Sequence, residues 1–197
     1  MKLIFATNNQ HKIEEIRHAI HSSFVLLTLK EAGIKIDIPE PHDTLEENAR
    51  EKSNTIYQLT HTSCFSEDTG LEVTALNGEP GVKSARYAGD EKSFDKNIDK
   101  LLQKMEGKPD RSARFRTVIS LIIDEEEMQF EGICNGIIIN ERRGKHGFGY
   151  DPVFIPNGAD KTFAEMELSE KNQYSHRAKA TRKLVTFLNS LEPKSQN

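Results

Sequence analysis

The 197-residue sequence predicts an α/β fold around a mixed β-sheet, on three observations. The N-terminal half alternates short apolar runs with segments of helical periodicity, the pattern that builds βα units. In the second half, the apolar or alternating stretches 113–123 and 128–139 flank the acidic tetrapeptide 124–127 and read as an antiparallel hairpin. No internal repeat, low-complexity tract or linker interrupts the chain, so residues 1–197 are expected to form one domain, its hairpin heading a second lobe.

The elements follow in order. "KLIFA" is a strand that stops abruptly at "TNNQHK", after which Ile13, Ile16 and Ile20 recur at helical spacing. "FVLLTL" is a second strand. Thr44 followed by Glu47 fits a capping box opening a helix, with Leu45, Ala49, Lys52, Ile56 and Leu59 along one stripe. Lys52 is the polar residue on that otherwise apolar face. "TSCFSE" is a strand delivering Glu67 and Asp68 to its end. A turn is expected at Thr69-Gly70, then a short strand "LEVTAL". "NGEPGVKSARYAGD" reads as a long loop, and Phe94, Ile98, Leu101 and Met105 mark the helix after it. Beyond the hairpin come a second glycine-rich loop, "NERRGKHGFGYDP", and a strand "VFI". Residues 169–191 are expected to be mostly helix, with Ala178, Thr181, Leu184, Val185 and Leu188 on one side.

Composition narrows the functional classes. A hydrophobic content of 36% beside 29% charged residues suits a globular protein in water, and no apolar run approaches the ~20 residues that span a bilayer. "MKLIFATNNQHK" lacks a secretory apolar core, so a cytoplasmic location is expected. Cys64 and Cys134 lack metal or redox spacing and read as reduced core thiols. A net charge of -4 disfavours broad adhesion to nucleic acid. A small anionic ligand then needs a local cluster of cationic side chains, or a metal ion.

Four segments carry candidate chemistry. Thr7, Asn8, Asn9, Gln10, His11 and Lys12 stand where a strand meets a helix start, where free N–H groups and the helix dipole attract anions. The competing reading is that Thr7 or Asn8 simply caps the helix. No GxxxxGK[ST] occurs, which excludes a P-loop. Glu67 and Asp68, with a distant acid such as Glu40, Glu46 or Glu47, offer oxygen ligands suited to Mg²⁺, or they are ordinary turn acids. Gly147 and Gly149 around Phe148, with Tyr150 and Asp151 following, allow close backbone approach beside a stacking ring. Lys171, His176 and Arg177 near the start of the last helix otherwise read as a solvated face.

Taken together, "ATNNQHK", "SEDTGLEVTALNGEPGVKSARYAG", "GFGYDPVF" and "EKNQYSHRAKA", in this order over nearly the full length, resemble the inosine/xanthosine triphosphate pyrophosphatase family. The resemblance implies an elongated two-lobed fold around a twisted mixed sheet with a central cleft. It implies a Mg²⁺-dependent homodimer that hydrolyses ITP, dITP and XTP to the monophosphate and pyrophosphate. By motif, Thr7 to Lys12 would hold the phosphates, with Asn8 where a glycine is common. Asp68 would be metal ligand and proton acceptor, Glu40 a second metal acid and Thr69 a substrate contact. Phe148, Gly149, Tyr150 and Asp151, with Lys171, His176 and Arg177, would form the nucleoside pocket, and Lys52 would reach phosphate. Rival readings are a related pyrophosphatase for modified pyrimidine or methylated nucleotides, a nucleotide-binding module without turnover, and a nucleic-acid binder using "ARFR" and "NERRGK", which the net charge disfavours.

Overall fold

The computed structural model describes residues 2–17 and 24–191, an α/β arrangement with seven strands and five α-helices among the described residues. Strand β1 (Lys2–Phe5) lies between β2 (Val25–Thr28) and β3 (Cys64–Val73), parallel to both. The two-residue β4 (Pro80–Gly81) pairs with the far end of β3. Antiparallel pairing then runs from β3 to β5 (Ser112–Ile123), to β6 (Glu126–Ile138) and to β7 (Phe154–Pro156). The sheet is therefore mixed, as the alternation and the hairpin predict.

From β1 the chain passes through α1 (Gln10–Arg17) to β2 on one side. It returns through α2 (Leu45–Thr60) to β3 on the other. That makes β1 a topological switch point, where ligands settle in the crevice beyond the carboxyl ends of the parallel strands. The three larger apolar clusters among the described residues hold the frame. Phe65, Ile119 and Leu121 pack with Ile13 and Ile16 of α1 and with Leu184 and Leu188 of α5 (His176–Leu191). On the opposite face, Cys64 and Ile122 pack with Ile56 of α2. Farther along the sheet, Leu71, Phe115 and Phe154 pack with Ile98 and Leu101 of α3 (Phe94–Lys104). Both cysteines are buried free thiols. No helix among the described residues is long and apolar enough to cross a membrane.

Several local expectations change. The helix cap before α1 is Asn9, not Thr7 or Asn8: its Oδ1 accepts from His11 N at 3.1 Å and Lys12 N at 3.4 Å, and its own N donates to Thr7 Oγ1 at 3.2 Å. Ile20 lies outside the described residues. In α2 the stripe buries Leu45, Ala49, Lys52 and Ile56, but Leu59 is 57% exposed. Leu59 stands one residue before the end of α2 and at the edge of the stripe, drifted about 40° from Leu45.

The expected turn at Thr69-Gly70 does not exist; β3 runs through it to Val73. A side chain on Gly70 would come within 2.6 Å of Gly81 O, so this glycine admits the backbone of β4 instead of reversing the chain. The supposed long loop after β3 contains β4 and a buried Ser84 and Tyr87. Phe94 opens α3 at its N-terminus and is exposed instead of joining the core stripe. The final helix is two: α4 (Leu168–Tyr174) ends at Ser175, whose extended backbone breaks the run and whose Oγ accepts from Ala178 N at 3.2 Å. The break turns the start of α5 inward, so His176, Arg177 and Ala180 are buried, while Ala178 and Val185 are only half-buried.

Candidate active site

Beyond the end of β1 opens a cleft of about 340 Å³. Its walls include Thr7, Asn8, Asn9 and Lys12 from the turn before α1, Lys52 from α2, Glu67, Asp68 and Thr69 from β3, and Phe148, Gly149, Tyr150 and Arg177 from farther along. Residues 36–40, a segment without regular structure, add Glu40. Asn8 has no positive φ, so its turn does not demand a glycine.

Strand alternation sends successive side chains to opposite faces of the sheet. Asp68 faces α2, where Lys52 Nζ lies 3.0 Å from its Oδ1 and 2.6 Å from Glu40 Oε1. Arg86 reaches the other side of Glu40, 3.3 Å from both its Oε2 and its backbone O. Of the acids weighed as partners for Asp68, only Glu40 arrives: Glu46 pairs with Arg116, and Glu47 accepts from the Thr44 hydroxyl at 2.8 Å, while Thr44 caps the helix by accepting from Glu47 N at 3.2 Å. Burial pushes the Asp68 carboxyl above its ordinary value, against the opposing pull of Lys52. Burial acts the same way on Glu40, but Lys52, Lys12 and Arg86 outweigh it and hold that carboxyl low. Of the pair, Asp68 is the better proton acceptor. Its Oδ2 is buried with no hydrogen-bond partner.

Glu67 faces α1 and α5 and is enclosed by cations. Lys12 Nζ is 3.0 Å from Oε1, and Arg177 Nε donates to both oxygens at 3.0 and 2.8 Å. Desolvation acts to raise its pKa, but Arg177 and Lys12 override it and bring it to about 2. The network continues. Arg177 Nη1 and Lys171 Nζ both reach Glu15, and Lys171 also lies 2.8 Å from Asp151 Oδ2, which accepts from Phe148 N at 2.9 Å. Gly147 makes room for this contact, because a Cβ there would sit 2.0 Å from Asp151 Oδ2, and its φ of +74° suits glycine. Asp151 and Lys171 therefore do not line the cleft; they fix the backbone of Phe148, which does.

The remaining predicted residues fall as follows. Gln10 and His11 lie outside the cleft lining; His11 instead stacks on Phe148 with ring centroids 5.0 Å apart. Thr69 bonds Thr117 hydroxyl to hydroxyl at 2.7 Å and receives Arg177 Nη2 at 3.4 Å. Tyr150 OH donates to Ser84 O at 2.9 Å. His176 is buried behind the cleft and stacked on Phe115 at 4.6 Å. Burial first, and then Arg177 and Lys171, keep its imidazole neutral. Sequence reasoning assigned no role to Glu15, Arg86, Lys92 and Phe94. Glu15 carried a usable signal: like Lys52, it is a charged residue beside the apolar positions of a short helix.

A metal ion fits the Asp68 side in one sense only. Among the described residues no group of three or more His, Cys, Asp or Glu side chains could hold a metal. Two carboxylates with an orphaned buried oxygen suit Mg²⁺, which is held by one or two acids together with substrate phosphates.

A mixed sheet with a cationic cleft at its switch point and a carboxylate pair inside defines an α/β protein built to hold an anionic ligand. The Ham1 family model matches residues 3–187, and the chain belongs to the Ham1 family. The dITP/XTP pyrophosphatase of Porphyromonas gingivalis is 51% identical over 188 residues, covering 95% of this chain and 97% of that one. The dITP/XTP pyrophosphatase of Christiangramia forsetii is 48% identical over 188 residues, covering 95% and 99%. The structure of the Staphylococcus aureus Ham1 protein matches with a TM-score of 0.90 at 39% identity, over 98% of this chain and 100% of that chain.

Proposed function

We propose that the protein is a pyrophosphatase for non-standard purine nucleoside triphosphates, cleaving ITP, dITP and XTP to the monophosphate and pyrophosphate. The supporting observation is the pairing of Asp68 and Glu40 around Lys52 at the mouth of the switch-point crevice, with Asp68 Oδ2 left unpartnered. Relatives covering the same length carry the corresponding name.

Lys12, Lys52 and Arg86 bind the phosphate chain and supply the concentrated positive charge that a net-negative protein needs for a polyanion. Water attacks the α-phosphorus and Asp68 accepts its proton; the bond from that phosphorus to the bridging oxygen breaks, and pyrophosphate leaves with the electron pair. A divalent cation, Mg²⁺ in this reading, would be held by Asp68 and Glu40 and would neutralise charge on the phosphates. Phe148 stacks the base, and Asp151 and Lys171 hold Phe148 in place. Donors from Arg177 and from backbone N–H groups between Phe148 and Tyr150 favour a 6-oxo purine over adenine. His176 backs this wall. A site built to hydrogen-bond one group rejects its mismatch by ~10⁴ or more.

The basic segments of the nucleic-acid reading are committed elsewhere: Arg114 pairs with Glu72, Arg116 with Glu46 and Glu131, Arg142 with Asp99 and Arg143 with Glu165. A single catalytic unit of two lobes, acting as a cytoplasmic homodimer, completes the proposal on the family resemblance, and sedimentation analysis tests the dimer. The activity is tested by pyrophosphate release from ITP, dITP, XTP, GTP, ATP and modified pyrimidine triphosphates, with and without Mg²⁺. Release from ITP, dITP and XTP alone, and only with the metal, is expected; equal turnover of ATP defeats the base assignment. In ¹⁸O water the label should enter the monophosphate, and label in pyrophosphate would refute attack at the α-phosphorus.

A further inference from the structure

We infer that Lys52 is an internal cation that stands in the metal position until a triphosphate arrives, so that the enzyme takes up its divalent ion together with the nucleotide instead of before it. The inference rests on the reading of Asp68 and Glu40 as the metal acids.

Lys52 is a charged residue on the core-facing stripe of α2, between Ala49 and Ile56, with its side chain 8% exposed. Its backbone is fixed. Thr44 caps the helix, and the buried Asn48 side chain accepts from His42 N at 2.9 Å and donates to His42 O at 3.0 Å, tying the helix start to the preceding segment. Only the flexible four-carbon stem can move. Its ammonium lies 2.6 Å from Glu40 Oε1 and 3.0 Å from Asp68 Oδ1, bridging the two acids as a metal ion would. Among the described residues these are its side-chain partners.

An ion held by the unpartnered Oδ2 of Asp68 would share that carboxylate with the Lys52 ammonium. In a site this shielded from water, the repulsion between a divalent ion and an ammonium is weakly screened. Arg86 beside Glu40 adds to it. A polyphosphate removes the conflict. It gives Lys52 an anionic partner within the same cleft, which frees both carboxylates, and its own oxygens complete the coordination that two acids cannot. Without the lysine, the buried Asp68 would lose its cationic partner while facing the half-buried Glu40, and the pair would hold stray divalent ions. The lysine makes metal affinity conditional on substrate, and by linkage substrate affinity conditional on metal, a coupling of about 5–150-fold.

The test is Mn²⁺ binding, read by electron paramagnetic resonance on the full-length protein, with and without α,β-methylene-ITP. In the absence of nucleotide, Lys52→Met should bind Mn²⁺ about fivefold tighter than the unmodified protein or more. Lys52→Arg, which keeps the charge, should not. Adding Asp68→Asn to Lys52→Met should abolish the gain, and the analogue should tighten Mn²⁺ less in Lys52→Met than in the unmodified protein. Equal nucleotide-free affinity in Lys52→Met and the unmodified protein overturns the inference; the metal-site reading survives that result if Asp68→Asn still weakens Mn²⁺ binding with the analogue. If Asp68→Asn alters Mn²⁺ binding in neither condition, the metal-site reading falls and the inference with it. Should Lys52→Met not fold by circular dichroism, Lys52→Gln takes its place. Should neither fold, a crystal of the unmodified protein soaked in Mn²⁺ without nucleotide decides. A metal between Glu40 and Asp68 with Lys52 still bridging them overturns the inference, whereas the bridge without a metal supports it.

Discussion

Glu67 and Asp68 are neighbours on one strand, yet the two faces of the sheet give them opposite surroundings. Glu67 enters a closed chain of alternating charges, Lys12–Glu67–Arg177–Glu15–Lys171–Asp151, in which each charge has a partner of opposite sign. Asp68 enters an open one. It shares Lys52 with Glu40, has one oxygen without a partner, and faces the cleft. Closure fixes geometry, since breaking any link leaves a buried charge uncompensated. Openness leaves capacity for a guest. In the proposed mechanism the Glu67 side supplies framework and substrate contacts and the Asp68 side the chemistry, though the residues are adjacent in sequence.

The comparison is broken most directly at Asp68. Asp68→Asn should lower kcat for ITP by about 10²–10⁴-fold, since in the proposed mechanism it removes the proton acceptor and a metal acid together. Its unfolding free energy should change by only about 1 kcal/mol, because Lys52 keeps Glu40. Steady-state kinetics beside urea denaturation measures both, and near-full turnover would remove Asp68 from the chemistry. Arg177→Met is the mirror case. It leaves Glu67 with Lys12 alone and Glu15 sharing Lys171 with Asp151, one buried negative charge in excess, and should cost about 3–5 kcal/mol of unfolding free energy in the same denaturation experiment. A loss below about 1 kcal/mol would show that the closed chain does not hold the fold.

The contrast also explains what was legible in the sequence. Period-two and period-3.6 patterns depend on local side-chain order, so β1, β2, α2, α3 and the hairpin could be read directly. Glycine misled at Gly70, because a residue without a side chain signals either a turn or a close backbone approach, and only the partner strand β4 distinguishes them. In the site, Lys52 was visible as a charge on an apolar stripe. Its partner Glu40 is set by a contact between segments distant in sequence, for which local pattern has no signature, and Glu15 showed only as a charge beside apolar helix positions, with nothing local to place it beneath Arg177. His11 shows the same limit: its position beside Lys12 suggested phosphate, but the fold lays its ring on Phe148.

Acid should separate the two carboxylates by sign. Glu67 has a folded pKa near 2 against an ordinary 4.5, so its contribution is fully present above pH 4.5 and is lost as the pH falls towards 2. That contribution is of order 3 kcal/mol. Asp68, raised above 3.8 by burial, acts oppositely: the folded state takes its proton more readily than the unfolded chain, so falling pH relieves a cost. Glu67→Gln should flatten the acid decline of stability, and Asp68→Asn should steepen it. Chemical denaturation between pH 2 and 6 reads both slopes, and identical slopes in the two variants would erase the distinction. The same elevation should place the acid limb of kcat/KM above the pH at which an ordinary aspartate titrates.

The smallest effect lies at the seam between the two sides. Thr69 follows Asp68 on the strand, receives Arg177 Nη2 at 3.4 Å and shares a 2.7 Å hydroxyl contact with the fully buried Thr117 of β5. Thr117→Val keeps the shape and removes one hydroxyl, so it should cost about 1 kcal/mol. If Thr69 belongs with the closed side, that loss appears as a lower melting temperature with kcat unchanged, and Thr117→Ser restores it. If Thr69 serves the open side, kcat falls while stability holds. A threonine whose own hydroxyl bonds run to Arg177 and to the core, and not to Lys52 or Glu40, should give the first result.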